Sequence, residues 1–155
     1  MPGIMKRILL VEDSPADAEL TQEALLEYAV ANSIDWVKDG AEALDFLFCR
    51  GAYEGRVFEA PAVILLDLKL PKIDGLEVLR TIRATPHLQA LPVVVLTSSR
   101  EEKDLLRGYS HGANAYVVKP VDGAGFIKAV GSLGVFWAIV NAPPPSLPLD
   151  PAGHP

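Results

Sequence analysis

Residues 62–67 read Ala62-Val63-Ile64-Leu65-Leu66-Asp67, five apolar residues in a row closed by a carboxylate. A run this short, apolar at every position and stopped by a charge, has the length of a strand covered on both faces rather than of a helix. Four further runs share its character. Arg7-Ile8-Leu9-Leu10-Val11 is stopped by Glu12-Asp13, and Ile34-Asp35-Trp36-Val37 precedes Asp39-Gly40. Pro92-Val93-Val94-Val95-Leu96 runs into Thr97-Ser98, and Ala115-Tyr116-Val117-Val118 into Lys119-Pro120.

Helical patterns fill the intervals. Ser14-Pro15 suits an N-cap followed by a first turn, and Asp17 suits the positive end of the helix dipole. Ala16, Leu20, Ala24 and Tyr28 then recur at helical spacing, which predicts a helix ending near Ala29 with those residues as its stripe. Further helices are predicted through Ala43, Leu44 and Leu47, over Gly75 to Ala84 ahead of Pro86, over Arg100 to Tyr109, and from about Asp122 towards Val140. Residues 50–60, with Gly51 and Gly55, read as a loop. Five buried strands alternating with helices predict an α/β fold: a five-stranded parallel sheet with helices on both faces. A flavodoxin-like strand order of 2-1-3-4-5 leads among the few topologies left by right-handed crossovers.

Composition narrows the classes. Half of the 155 residues are hydrophobic and 22% are charged, a globular balance. A net charge of −6, with basic residues scattered, argues against nucleic acid as a partner. A single cysteine, Cys49, precludes an internal disulfide and suits a reducing compartment. Glu12-Asp13 cuts short the only N-terminal apolar run, so no signal peptide is expected. Glycines and prolines interrupt the uncharged stretch 129–149, so no membrane span is expected, and the cytoplasm is the default location. The expected domain covers residues 1–142; residues 143–155, opening with Pro143-Pro144-Pro145, read as a disordered tail with no output module after it.

In open parallel sheets the working crevice lies beyond the carboxyl ends of the strands. What stands there is Glu12-Asp13, Asp67, Thr97-Ser98 and Lys119-Pro120. An Asp ending a strand most often serves a turn, and a lone Lys-Pro carries no weight. Three carboxylates, a hydroxyl and an ammonium arriving from four strands are a different matter. Clustered carboxylates need a cation at neutral pH, and hard oxygen donors suit Mg²⁺. Positioning and charge neutralisation are nearly all that phosphoryl transfer asks of a protein.

These blocks resemble the receiver domains of two-component response regulators over roughly residues 6–140. The resemblance is carried by Ile8 to Asp13, Ile64 to Pro71 with Asp74-Gly75, Leu96-Thr97-Ser98, and Tyr116-Val117-Val118-Lys119-Pro120. It implies that Asp67 accepts a phosphoryl group from a histidine kinase and that Asp13, Asp67 and the backbone carbonyl of Lys69 bind Mg²⁺, with Glu12 acting through water. It implies that Lys119, Thr97 and Ser98 serve the phosphoryl oxygens, that Tyr116 moves with Thr97 as a switch, and that a cis peptide precedes Pro120. The implied chemistry is Mg²⁺-dependent self-phosphorylation and self-dephosphorylation rather than turnover of a substrate. Lys69 and Ser99 occupy positions that tune the lifetime of the acyl phosphate in this family.

The segment Ala129 to Val140 carries no charge, and Leu133, Val135, Phe136, Trp137, Ile139 and Val140 go round the whole helix. A helix apolar all round needs covering on more than one side. A homodimer is therefore expected, with Phe136, Trp137 and Val140 at its interface. The loop 50–60 and the Trp-containing end resemble the small receivers partnered with bacterial phytochrome histidine kinases. Two other classes were weighed. A phosphatase of the haloacid-dehalogenase type wants a general acid two residues after its nucleophile, where this chain has Lys69. An FMN carrier wants a hydroxyl- and glycine-rich loop where this chain has Glu12-Asp13. A receiver that only docks is the remaining alternative. No GxGxxG loop is present, and His87, His111 and His154 lack metal-ligand spacing.

Overall fold

The computed structural model describes residues 6–28, 30, 32–98, 101 and 112–139. In chain order the elements are β1 (Ile8–Val11), α1 (Pro15–Glu27), β2 (Ile34–Val37), α2 (Gly40–Phe48), a 3₁₀ turn (Gly51–Tyr53), β3 (Val63–Asp67), α3 (Gly75–Ala84), β4 (Val93–Thr97), β5 (Ala115–Val118), α4 (Gly123–Gly131) and α5 (Phe136–Ile139). The five strands form one sheet in the order β2-β1-β3-β4-β5, every pair parallel. This is the expected topology. Most of the expected helix over 100–109, together with Ser99, His111 and the tail 143–155, lies outside the described residues.

The all-apolar strands separate into two faces by simple alternation. Ile8, Leu10, Val63, Leu65, Val94 and Leu96 pack with residues of α1, α4 and α5. Leu9, Val11, Ile64, Leu66, Val93 and Val95 pack with residues of α2 and α3. Every residue of β1, β3 and β4 is buried, so a polar substitution on either face would enter a core. Side-chain caps start the helices at the carboxyl end of the sheet. Ser14 Oγ accepts from the Asp17 amide at 3.2 Å, Asp39 Oδ1 from Glu42 at 2.7 Å, Asp74 Oδ1 from Glu77 at 3.0 Å and Asp122 Oδ1 from Gly125 at 2.6 Å. Each cap satisfies an otherwise orphaned donor and contributes about 1 kcal/mol.

Three expectations need correction. The buried stripe of α1 is Ala18, Thr21 and Leu25, not Ala16, Leu20, Ala24 and Tyr28. Leu20 and Tyr28 are 49% and 44% exposed, and an alanine- and leucine-rich helix fits its period on either face. The last helix is not continuous towards Val140. It ends at Gly131, Gly134 takes a positive φ of 74°, and a short second helix spans Phe136–Ile139. A glycine adopts that left-handed turn without steric cost. The turn also folds the apolar end back on the sheet: Phe136 and Ile139 join the core of their own chain at 3% and 0% exposure. Phe136 is thus taken by the protomer itself and is not available as the expected dimer contact. The Trp137 side chain and Val140 lie outside the described residues.

Candidate functional site

The carboxyl ends of β1, β3 and β5 bring four of the expected groups together. Glu12, Asp13 and Asp67 each offer a carboxylate oxygen, and these oxygens lie within 4.8 Å of one another. Glu12 is fully buried, Asp67 is 6% exposed and Asp13 faces solvent. Lys119, following β5, reaches into the same place. Its Nζ lies 2.9 Å from Asp67 Oδ2 and 2.7 Å from Glu12 Oε1. The backbone under these groups is fixed by the sheet, because the Lys119 amide donates to the Thr97 carbonyl at 2.8 Å. The Trp36 indole of β2 donates to the Glu12 carbonyl at 2.7 Å, which anchors the turn after β1 from its other side.

Glycine is required where the loops close over Asp67. A Cβ on Gly75 would sit 2.3 Å from the Asp67 carbonyl oxygen, and one on Gly40 would sit 1.9 Å from that of Ile73. The loop after β3 can therefore approach the end of that strand only with glycine at 75. Its Lys69 amide donates to Asp67 Oδ1 at 3.1 Å, leaving Oδ2 to face the ammonium.

The electrostatics follow from burial. Removal from water pushes the Glu12 carboxyl up to about 7; Lys119 pulls it down, and the neighbouring Asp67 charge pushes it up again. Burial alone would pull the Lys119 ammonium down. Its close contacts with the carboxylates of Glu12, Asp67 and Asp17 outweigh that and hold it above its usual range, so it remains charged. Glu12 Oε2 accepts from the Ser14 amide at 3.2 Å, but Oε1 meets Lys119 off the line of a hydrogen bond and keeps acceptor capacity although fully buried. A buried carboxylate oxygen with unused lone pairs, beside two further carboxylates, fits a hard divalent cation.

Thr97 is fully buried at the end of β4, and Ser98 beyond it is exposed. Tyr116 is partly buried against the core on the α2–α3 side. The peptide between Lys119 and Pro120 is cis, as the resemblance implied. Sequence reasoning missed Asp17. Its place in the sequence marks it only as a favourable charge at the start of α1, yet its Oδ2 lies 3.0 Å from Lys119 Nζ. The available signal was its place, one turn into the helix that follows Glu12-Asp13.

Comparison with known proteins agrees with this geometry. Residues 8–131 match the response regulator receiver domain family. The structure of the bacteriophytochrome response regulator AtBRR superposes with a TM-score of 0.84 at 55% identity, covering 90% of this chain and 100% of that one. Response regulator Rcp1 of Synechocystis sp. is 42% identical over 85% of this chain and 88% of its own. Its Mn²⁺-bound structure gives a TM-score of 0.68 at 40% identity over 91% and 99% of the two chains. The phosphorylated cyanobacterial phytochrome response regulator RcpA gives 0.70 at 40% identity over 92% and 100%. These likenesses do not favour a phosphatase of the haloacid-dehalogenase type. Among the described residues no helix is long and apolar enough to cross a membrane. The chain belongs to the response-regulator receiver family of two-component signalling, and its relatives include response regulators of bacterial phytochromes.

Proposed function

We propose that Asp67 is the phosphoacceptor of this receiver, taking its phosphoryl group from a phosphohistidine on a sensor histidine kinase of the phytochrome type. The observation that carries the reading is the Asp67 carboxylate held 2.9 Å from the Lys119 ammonium, with carboxylate oxygens of Glu12 and Asp13 within 4.8 Å. An Asp67 oxygen forms the new P–O bond as the P–N bond of the donor breaks and its electron pair returns to the imidazole nitrogen. Lys119 neutralises phosphoryl oxygens as they approach, which a carboxylate nucleophile needs before it can meet an anion. Asp13, Asp67 and the Lys69 carbonyl would hold Mg²⁺, with Glu12 assisting through water, and the cation would supply further neutralisation of those oxygens.

The acyl phosphate adds negative charge and acceptor oxygens at one point. Thr97, with Ser98 beside it, meets those oxygens, and Tyr116 follows into the space Thr97 leaves. A local charge thereby biases a two-state element. The chemistry is a single self-phosphorylation and its hydrolytic reversal. The domain spans residues 1–142, acts in the cytoplasm and pairs with a second copy through the uncharged C-terminal segment around Trp137 and Val140. Light scattering at micromolar concentration tests that pairing, and a monomer mass contradicts it. For the site itself, acetyl phosphate with Mg²⁺ is expected to label the protein, while Asp67→Asn and chelation each abolish labelling. Undiminished labelling of Asp67→Asn overturns the assignment.

A further inference from the structure

The Lys119 ammonium meets three carboxylates: it donates to Asp67 Oδ2 at 2.9 Å and to Asp17 Oδ2 at 3.0 Å, and it pairs with Glu12 Oε1 at 2.7 Å. The three partners are not equivalent. The Glu12 side chain is fully buried and that of Asp67 is 8% exposed, whereas that of Asp17 is 42% exposed. An ion pair with a half-solvated partner is cheap to break, while stripping a buried carboxylate of its counter-ion is costly. A phosphoryl group on Asp67 needs donors from this same ammonium, so one of the three existing contacts must yield.

We propose that Asp17 is a positioning residue for phosphoryl transfer: it holds Lys119 while Asp67 is unmodified and releases it to the incoming phosphoryl oxygens. The inference rests on the reading of Asp67 as phosphoacceptor and adds a restraint to it. Asp17 belongs to the first turn of α1, so its release also changes the charge balance at the start of that helix when, and only when, Asp67 is modified. Two features separate this role from helix capping. The cap of α1 is Ser14 Oγ accepting from the Asp17 backbone amide, a bond the side chain does not make. The Asp17 carboxylate instead spans from α1 to the residue after β5, 102 positions along the chain. Its Oδ2 lies 3.0 Å from the ammonium that contacts Asp67, so it adds a negative charge beside the groups an anionic donor must meet.

The test is the rate of labelling by acetyl phosphate with Mg²⁺, in which Asp67 oxygen displaces acetate from phosphorus and acetate leaves with the bonding electron pair. Asp17→Asn is expected to label about three- to ten-fold faster than the wild type, the effect of removing one unit charge within about 6 Å of Asp67 Oδ2 in a partly solvated site. The gain should appear in the rate at saturating donor as well as in the apparent KM. Asp17→Glu, which keeps the charge, should return the rate most of the way to the wild-type value. Glu19→Gln removes a charge from the exposed side of the same helix and should leave the rate unchanged. An unchanged or slower rate in a folded Asp17→Asn protein overturns the proposal, as does equal acceleration by Glu19→Gln, which would reduce the effect to net charge. Failure of the wild type to label, or labelling of Asp67→Asn, overturns the phosphoacceptor reading itself and this inference with it.

Discussion

The two ends of the sheet use charge in opposite ways. At the amino-terminal ends of β4 and β5, Arg83 of α3 donates to the carbonyls of Gly112, Gln89 and Leu91 and to Asn114 Oδ1, all at 2.7 to 2.9 Å. Asn114 Oδ1 also accepts from the Val93 amide at 2.8 Å. Every group there is answered by neutral partners in fixed positions, and the result is a clasp. At the carboxyl-terminal ends, one ammonium faces Glu12, Asp17 and Asp67, with Asp13 alongside. That excess of negative charge is half-buried and uncompensated. A protein bears such a cost where a cation and an anion are due to arrive, and the contrast separates stability from function within one sheet.

Substitutions at the two ends should therefore fail differently. The largest effect is expected from Lys119→Met, which removes the ammonium that faces Glu12, Asp17 and Asp67. It should slow labelling by acetyl phosphate about 100-fold or more while tightening Mg²⁺ binding, because the site loses positive charge. Weaker Mg²⁺ binding in a folded variant would break the comparison. Arg83→Ala should do the reverse. Losing four charge-assisted hydrogen bonds is expected to cost about 2–4 kcal/mol in urea unfolding, with the labelling rate of the folded fraction unchanged.

The acidic end also predicts a pH dependence. The raised Glu12 carboxyl, near 7 in the folded protein, holds a proton that a divalent cation must displace. Cation affinity should then rise about tenfold from pH 6 to pH 8, with proton release falling from about 0.9 at pH 6 to about 0.1 at pH 8, measurable by calorimetry in two buffers. For the metal-free protein the sign is opposite. A carboxyl raised on folding contributes stability below its unfolded value, and that contribution is lost as pH rises through about 7. The smallest effect belongs to the Arg7–Asp35 pair at the amino-terminal end, bidentate at 2.6 and 2.8 Å but 46% and 26% exposed. A double-mutant cycle should give a coupling below about 1 kcal/mol.

The sheet and most of the site were legible in the sequence because each depends on local facts. Runs such as Val63 to Leu66 carry their burial in every residue, and Asp67, Glu12-Asp13 and Lys119 stand where those runs stop. What was not legible depends on tertiary choice. The stripe of α1 could have been Leu20 and Tyr28 as readily as Thr21 and Leu25, since both recur at helical spacing and only packing against the sheet decides. The turn at Gly134 hid in an apolar stretch whose periodicity looked continuous, and so Phe136 was assigned outward when it is core. Asp17 was invisible as a site residue for a related reason. Its partner, Lys119, lies 102 positions away and is supplied by the fold, not by any nearby motif.

The proposed role of the acidic end is phosphoryl transfer to Asp67. Its most direct test is peptide mass spectrometry of the protein after treatment with acetyl phosphate and Mg²⁺, with borohydride trapping of the acyl phosphate. Homoserine, the reduction product of an acyl phosphate, is expected at position 67 alone, and at no position when Mg²⁺ is chelated. A modification on Asp13, Asp17 or any residue other than Asp67, or none under conditions where cation binding is demonstrated, would contradict it.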